Sequence, residues 1–209
     1  MNNAATANGQ HTDQRTLAAY NQKAVDFASD WRTQPPPEEL YALLRRFFHA
    51  GGRTADIGCG CGRDTDWLRK NGFAAAGYEP SSGLLAEARR IYPEVCFYQT
   101  ALPELDGIAR GSFANVLCET VLMHLPSAVI PSSVRSLMDL LEYGGILYLS
   151  WRVTRENDER DAKGRLYSSF DASFVLQQLD SESILLDEEV VSVSSGKCIH
   201  RIIARKETR

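Results

Sequence analysis

Thr54–Gly62, TADIGCGCG, joins a short apolar strand carrying one acid to three glycines spaced two apart. Ala55 and Ile57 suit a buried strand, while Gly58, Gly60 and Gly62 let the backbone turn tightly and approach a ligand more closely than any Cβ allows. Arg63–Lys70 then reads as a helix opening under that ligand, its first N–H groups favouring a negative group, here a carboxylate. The dinucleotide pattern GxGxxG, counted from Gly58, would place its third glycine at Arg63, whereas here it comes one residue early, at Gly62. Asp56, two residues before Gly58, offers a carboxylate to an ammonium group, which a pyrophosphate cofactor lacks. The stretch therefore reads as a nucleotide-binding turn of a particular kind.

An acidic strand end followed by GxGxG resembles motif I of the class I S-adenosylmethionine-dependent methyltransferases, and the likeness continues downstream. Phe73–Tyr78 reads as a second strand ending in Glu79, with Pro80, Ser81 and Ser82 behind it. The resemblance implies that Glu79 binds both ribose hydroxyls, and a carboxylate has the acceptors a vicinal diol needs. Its strand-and-helix spacing from Gly62 also fits a ribose-binding dehydrogenase, so Glu79 supports a nucleoside ligand without choosing between families. In Val95–Pro103, VCFYQTALP, Gln99 and Thr100 stand where the family commonly has an acid. Adenine contacts are therefore expected from these side chains or from the backbone near Ala101 and Leu102. Leu84 is expected against the base, although the position equally suits the core face of a helix.

Phe113–Pro126, FANVLCETVLMHLP, resembles the family's fourth strand and the loop after it, with Asn115 in place of the usual Asp. Cys118 and Glu119 fall at the carboxyl end of that strand, where ligands bind in open α/β sheets. The backbone carbonyl near Cys118 is expected to receive the methionine ammonium. Tyr143–Ser150, YGGILYLS, reads as a glycine turn entering a fifth strand. The implied cofactor is S-adenosylmethionine, leaving as S-adenosylhomocysteine. Its expected contacts are Asp56, Gly58, Cys59, Gly60, Glu79, Pro80, Leu84, Thr100, Ala101, Leu102, Cys118 and Glu119.

Strand and helix patterns alternate along the chain, as in an α/β Rossmann-like doubly wound sheet. The resemblance implies seven strands, mostly parallel, with an antiparallel C-terminal strand. Ser183–Val193 and Lys197–Ala204 read as a closing hairpin, which dehydrogenase folds generally lack. Helices are expected over Leu17–Trp31, over Glu38–His49 after three prolines, and over Phe170–Leu179 capped by Asp171. The charged run Arg152–Arg165 reads as a solvated loop or short helix. One domain is expected over residues 1–209, with 1–50 as a helical lid and 51–209 as the core.

A chain of 209 residues with 44% hydrophobic content can bury a sizeable core without a second module. A net charge of −4, with no long basic stripe, argues against nucleic acid. The sequence has no apolar run of membrane-spanning length and its first residues are polar, so a cytoplasmic location is expected. Five cysteines, an odd number, read as free thiols, and the Cys59-x-Cys61 spacing lacks a second pair, so no metal is expected. The partner is expected to be a small-molecule acceptor, with the chain a monomer or homodimer.

The resemblance implies in-line attack of an N, O, S or C nucleophile on a sulfonium methyl, catalysed mainly by proximity and alignment. His124 is the candidate base, with a backbone-bonded helix-entry residue as its other reading. Tyr20, on the lid, and Trp151, Arg152 and Arg165 are the candidate acceptor-binding residues, Trp151 for a planar group and the arginines for an anionic one. A nicotinamide-dependent oxidoreductase and a non-catalytic S-adenosylmethionine-binding protein are the competing readings.

Overall fold

The computed structural model describes residues 11–180, 183–193 and 195–207. Its centre is a seven-stranded sheet built from β1 (Arg53–Ile57), β2 (Ala74–Glu79), β3 (Phe97–Gln99), β4 (Phe113–Cys118), β5 (Leu141–Arg152), β8 (Ile184–Val191) and β9 (Cys198–Arg205). The order across the sheet is β3-β2-β1-β4-β5-β9-β8, with β9 antiparallel to both of its neighbours and the other strand pairs parallel. Helices α3 (Glu38–Phe47), α4 (Arg63–Lys70), α5 (Ser82–Ile91) and α6 (Ile130–Leu140) supply the crossovers and faces of the expected doubly wound architecture. No helix among the described residues is long and apolar enough to cross a membrane.

Strand residues alternate between two cores. Ala55, Ile57, Val116, Leu147, Leu149 and Trp151 pack with α6 on one face, while Leu117, Ile146 and Tyr148 meet Leu40, Leu44 and Leu68 on the other. Asn115 is wholly buried in the middle of β4. Its amide donates to the His49 carbonyl and the Thr54 hydroxyl, and its Oδ1 accepts the His49 N–H. The departure from the usual Asp thus ties the end of α3 to β1.

The expected N-terminal helix is two helices, α1 (Gln14–Gln22) and α2 (Ala24–Thr33), broken at Lys23, which leaves helical geometry at φ −118 and ψ 25. The break folds the pair over α5, close enough that a Cβ on Gly83 would meet the Asn21 carbonyl at 2.8 Å. Asn21 Oδ1 accepts from the Ser81 hydroxyl and the Gly83 N–H, pinning this lid to the start of α5.

The charged run is solvated as expected, with residues 155–160 exposed, but it is neither plain loop nor helix. Glu159–Arg160 (β6) pairs with Leu166–Tyr167 (β7), and two of its charges are paired, Arg160 with Asp13 at the start of α1 and Arg165 with Asp161. The expected helix near Phe170 is a single turn, α7 (Ser173–Leu176), with Asp171 accepting the Ser173 N–H.

Candidate active site

The carboxyl ends of β1, β2, β4 and β5 border a cavity of about 500 Å3, covered by α1, α2 and the β6–β7 hairpin. Gly58, Gly60 and Gly62 bend the floor with φ of 75, 56 and 83, a left-handed region that side chains resist. A Cβ on Gly62 would also lie 2.5 Å from the Phe97 ring. Trp31, from the lid, lies against Gly60.

Glu79 is 5% exposed, yet it lines this cavity. One carboxylate oxygen accepts the Gly60 N–H at 3.0 Å and the other accepts the Ser81 N–H at 2.9 Å. A carboxylate oxygen has two lone-pair directions, so each retains one for a ligand. Burial pushes the Glu79 pKa up to about 7, against the pull of those two N–H groups.

Asp56 sits beneath the turn, away from the cavity wall. Ala55 and Ile57 face the α6 core, so the strand pleat turns Asp56 towards α4, where it accepts the Thr65 hydroxyl at 2.6 Å. Burial pushes its pKa up to about 8. The acids on the wall besides Glu79 are instead Asp13, Asp64 and Glu119. Glu119 accepts the Ser150 hydroxyl, and burial raises its pKa to about 7. Asp64 receives Arg63 through two nitrogens, at 3.0 and 3.2 Å, and the Tyr41 hydroxyl at 2.8 Å. Arg63 and Asp64 were not singled out from sequence; a charged first turn directly after Gly62 is the signal for them.

Cys59, Pro80 and Leu84 also lie on the wall, whereas Cys118 is fully buried behind it. Thr100 and Ala101 border a separate cavity of about 70 Å3 with Gln99, Glu104 and Asp106, and Leu102 is buried beside them in the chain. Gln99 donates its amide N–H to the Pro80 carbonyl at 3.0 Å.

The other end brings together three residues far apart in sequence. His124 Nδ1 lies 2.6 Å from the Leu166 carbonyl, which can only accept, so Nδ1 carries the proton and Nε2 is the acceptor. The Tyr20 hydroxyl donates to Nε2 at 2.9 Å, and Arg165 donates to the Tyr20 oxygen at 3.2 Å. Burial lowers the His124 pKa to about 4 and raises that of Tyr20, so both are neutral at physiological pH. Arg152 lines the cavity with its guanidinium over the Tyr167 ring at 4.8 Å. Trp151 does not reach the cavity. Adjacent on β5 and therefore on the opposite face, it is 2% exposed, packed against Phe170 and stacked on His200 at 4.5 Å.

Residues 55–145 match the model of a family described as a methyltransferase domain. Over this segment the chain is similar to that family. The chain is 34% identical over 113 residues to trans-aconitate 2-methyltransferase of Methylobacterium nodulans, covering 52% of this chain and 42% of that protein. It is 27% identical to the ubiquinone biosynthesis O-methyltransferase of Marinobacter nauticus, covering 82% and 74%. The chain spans about half the length of most curated relatives it matches, 54% for the Pseudomonas aeruginosa ubiquinone biosynthesis O-methyltransferase. The chain shares its fold with a Burkholderia thailandensis 1,6-didemethyltoxoflavin-N1-methyltransferase, solved with S-adenosylhomocysteine bound. That match has a TM-score of 0.71 and 20% identity over 93% of this chain and 88% of the other.

Proposed function

We propose that the protein binds S-adenosylmethionine in this cavity and transfers its methyl group to a small-molecule acceptor. The observation that carries this reading is Glu79: a buried carboxylate on the cavity wall, held by two backbone N–H groups, with one acceptor direction left on each oxygen. A ribose diol brings two donors to match. The remaining wall suits the rest of the cofactor. Leu84 and Pro80 offer apolar surface to a base, Arg63 a cation for a carboxylate, and Asp64 and Glu119 anions for an ammonium. When bound, S-adenosylmethionine supplies a methyl already activated on a sulfonium.

This chain's residues then orient, exclude water and move a proton. Trp31 and Tyr20 cover the cavity from the lid. Where the acceptor carries a proton on its nucleophilic atom, Tyr20 passes its hydroxyl proton to His124 Nε2 and takes the acceptor's in exchange. Arg165 steadies the phenol oxygen during that exchange, and the Leu166 carbonyl holds the ring tautomer. The low basicity of His124 makes it a transient proton holder, with alignment contributing most of the rate.

A nicotinamide-dependent reading shares Glu79, but the early third glycine and the antiparallel β9 inserted between β5 and β8 both count against it. Calorimetric titration separates the two. Binding of S-adenosylhomocysteine without binding of a nicotinamide dinucleotide supports methyl transfer, and the reverse sinks it.

A further inference from the structure

We propose that the methyl acceptor is an anion, held through a carboxylate or phosphate group by Arg152 and Lys197. The inference rests on the methyl-transfer reading above and names the acceptor class for the same cavity. Glu79 ends β2 and Arg152 ends β5, three strand spacings away, or roughly 14 Å. The nucleoside half of the cavity is therefore at one side and Arg152 at the other, with Glu119, after β4, between them and the Tyr20–His124 pair also in the wall.

The charges along the wall are not evenly matched. Asp64 neutralises Arg63, Asp161 neutralises Arg165, and Asp13 neutralises Arg160 behind it. Among the described residues, neither Arg152 nor Lys197 has an ion-pair partner. Both line the cavity, Lys197 from the β8–β9 turn and Arg152 from β5, directly across from wall residue Ile199. Arg152 is half-buried, and its guanidinium lies over buried Tyr167, so its position is fixed without consuming its N–H edge. A half-buried cation with a fixed plane and unused donors suits bidentate recognition of a carboxylate or phosphate. The protein supplies the acids at the cofactor end and leaves the cations unanswered at the other.

The test uses the full chain saturated with S-adenosylhomocysteine and titrates succinate and inorganic phosphate in separate arms, at fixed ionic strength so that screening does not vary. One of the two is expected to bind saturably with a roughly millimolar dissociation constant, and the arm that does so identifies the group. Arg152→Gln is expected to weaken that binding at least about tenfold, the loss of one charge-assisted contact, with Lys197→Gln weaker in effect. Affinity for S-adenosylhomocysteine should be unchanged in both variants, which also shows that they fold. Saturable binding of neither anion, or binding that survives in the double variant, overturns the proposal while leaving methyl transfer standing. Failure of the unsubstituted protein to bind S-adenosylhomocysteine overturns both together.

Discussion

Replacing Glu79 by Gln keeps the side chain's shape and removes its charge. Each carboxylate oxygen now accepts one backbone N–H, from Gly60 at 3.0 Å and Ser81 at 2.9 Å, and keeps one direction for a ribose hydroxyl. An amide retains one accepting oxygen; its NH2 faces either the Gly60 or the Ser81 N–H, donor against donor. One diol contact is lost outright and the other loses its charge, each worth about 1.5–3 kcal/mol when charged. The sum expected is about 3 kcal/mol, or roughly a hundredfold in the dissociation constant of S-adenosylhomocysteine by calorimetry. The pH dependence gives an independent reading. Diol binding favours the ionised carboxylate, and Glu79 titrates near 7 in the free protein. The dissociation constant of the unsubstituted protein should therefore rise as pH falls below 7, with up to one more proton released on binding than in Glu79→Gln. An unchanged dissociation constant in a variant whose circular dichroism is intact would refute the ribose role.

Three further outcomes follow from the same geometry. Asp56, Glu79 and Glu119 have folded pKa values raised to about 8, 7 and 7, so between pH 5 and 8 the folded state holds more protons than the unfolded chain. Stability contributed by these groups is fully present below the ordinary carboxylate range and is lost as pH rises through the raised values, so ligand-free protein should melt at lower temperature at pH 8 than at pH 5.5; the opposite trend contradicts their burial as acids. Tyr20→Phe removes the hydroxyl shared by His124 and Arg165, and should speed limited proteolysis within α1 and α2 while S-adenosylhomocysteine affinity changes less than about threefold; with an acceptor that carries a proton on its nucleophilic atom, it and His124→Ala should each lower turnover by about a hundredfold or more, and full rates would make the pair structural. Trp151→Ala should cost about 3–5 kcal/mol in denaturant unfolding, as for a large core side chain, and leave cofactor affinity of the folded protein unaltered; a selective loss of affinity would place Trp151 in the site.

Local chemistry was legible in the sequence where neighbours in the chain are neighbours in space. The glycine turn, the helix Arg63–Lys70, Glu79 at its strand end and the closing hairpin are all of this kind. Side-chain direction was less legible, because it alternates with a period of two and one position decides the face. Asp56 turns beneath the glycines to Thr65, and Trp151 joins Leu147 and Leu149 in the core while its neighbour Arg152 takes the cavity. Relations between distant segments carry no local signal. Tyr20, His124 and Arg165 can each be suspected from sequence, but nothing in it says that one hydroxyl links all three, or that Asp13 draws the charged run down onto the lid.

Delivery of a sulfonium methyl to a small anion is the reaction proposed for this cavity. Its most direct test is incubation of the purified chain with S-adenosylmethionine labelled in the methyl group and a panel of small carboxylates and phosphates, resolved by anion exchange. Label is expected in an anionic product, formed in step with S-adenosylhomocysteine and greatly reduced in Glu79→Gln. Label appearing only in neutral or cationic products, or no binding of S-adenosylmethionine alongside tight binding of a nicotinamide dinucleotide, would contradict it.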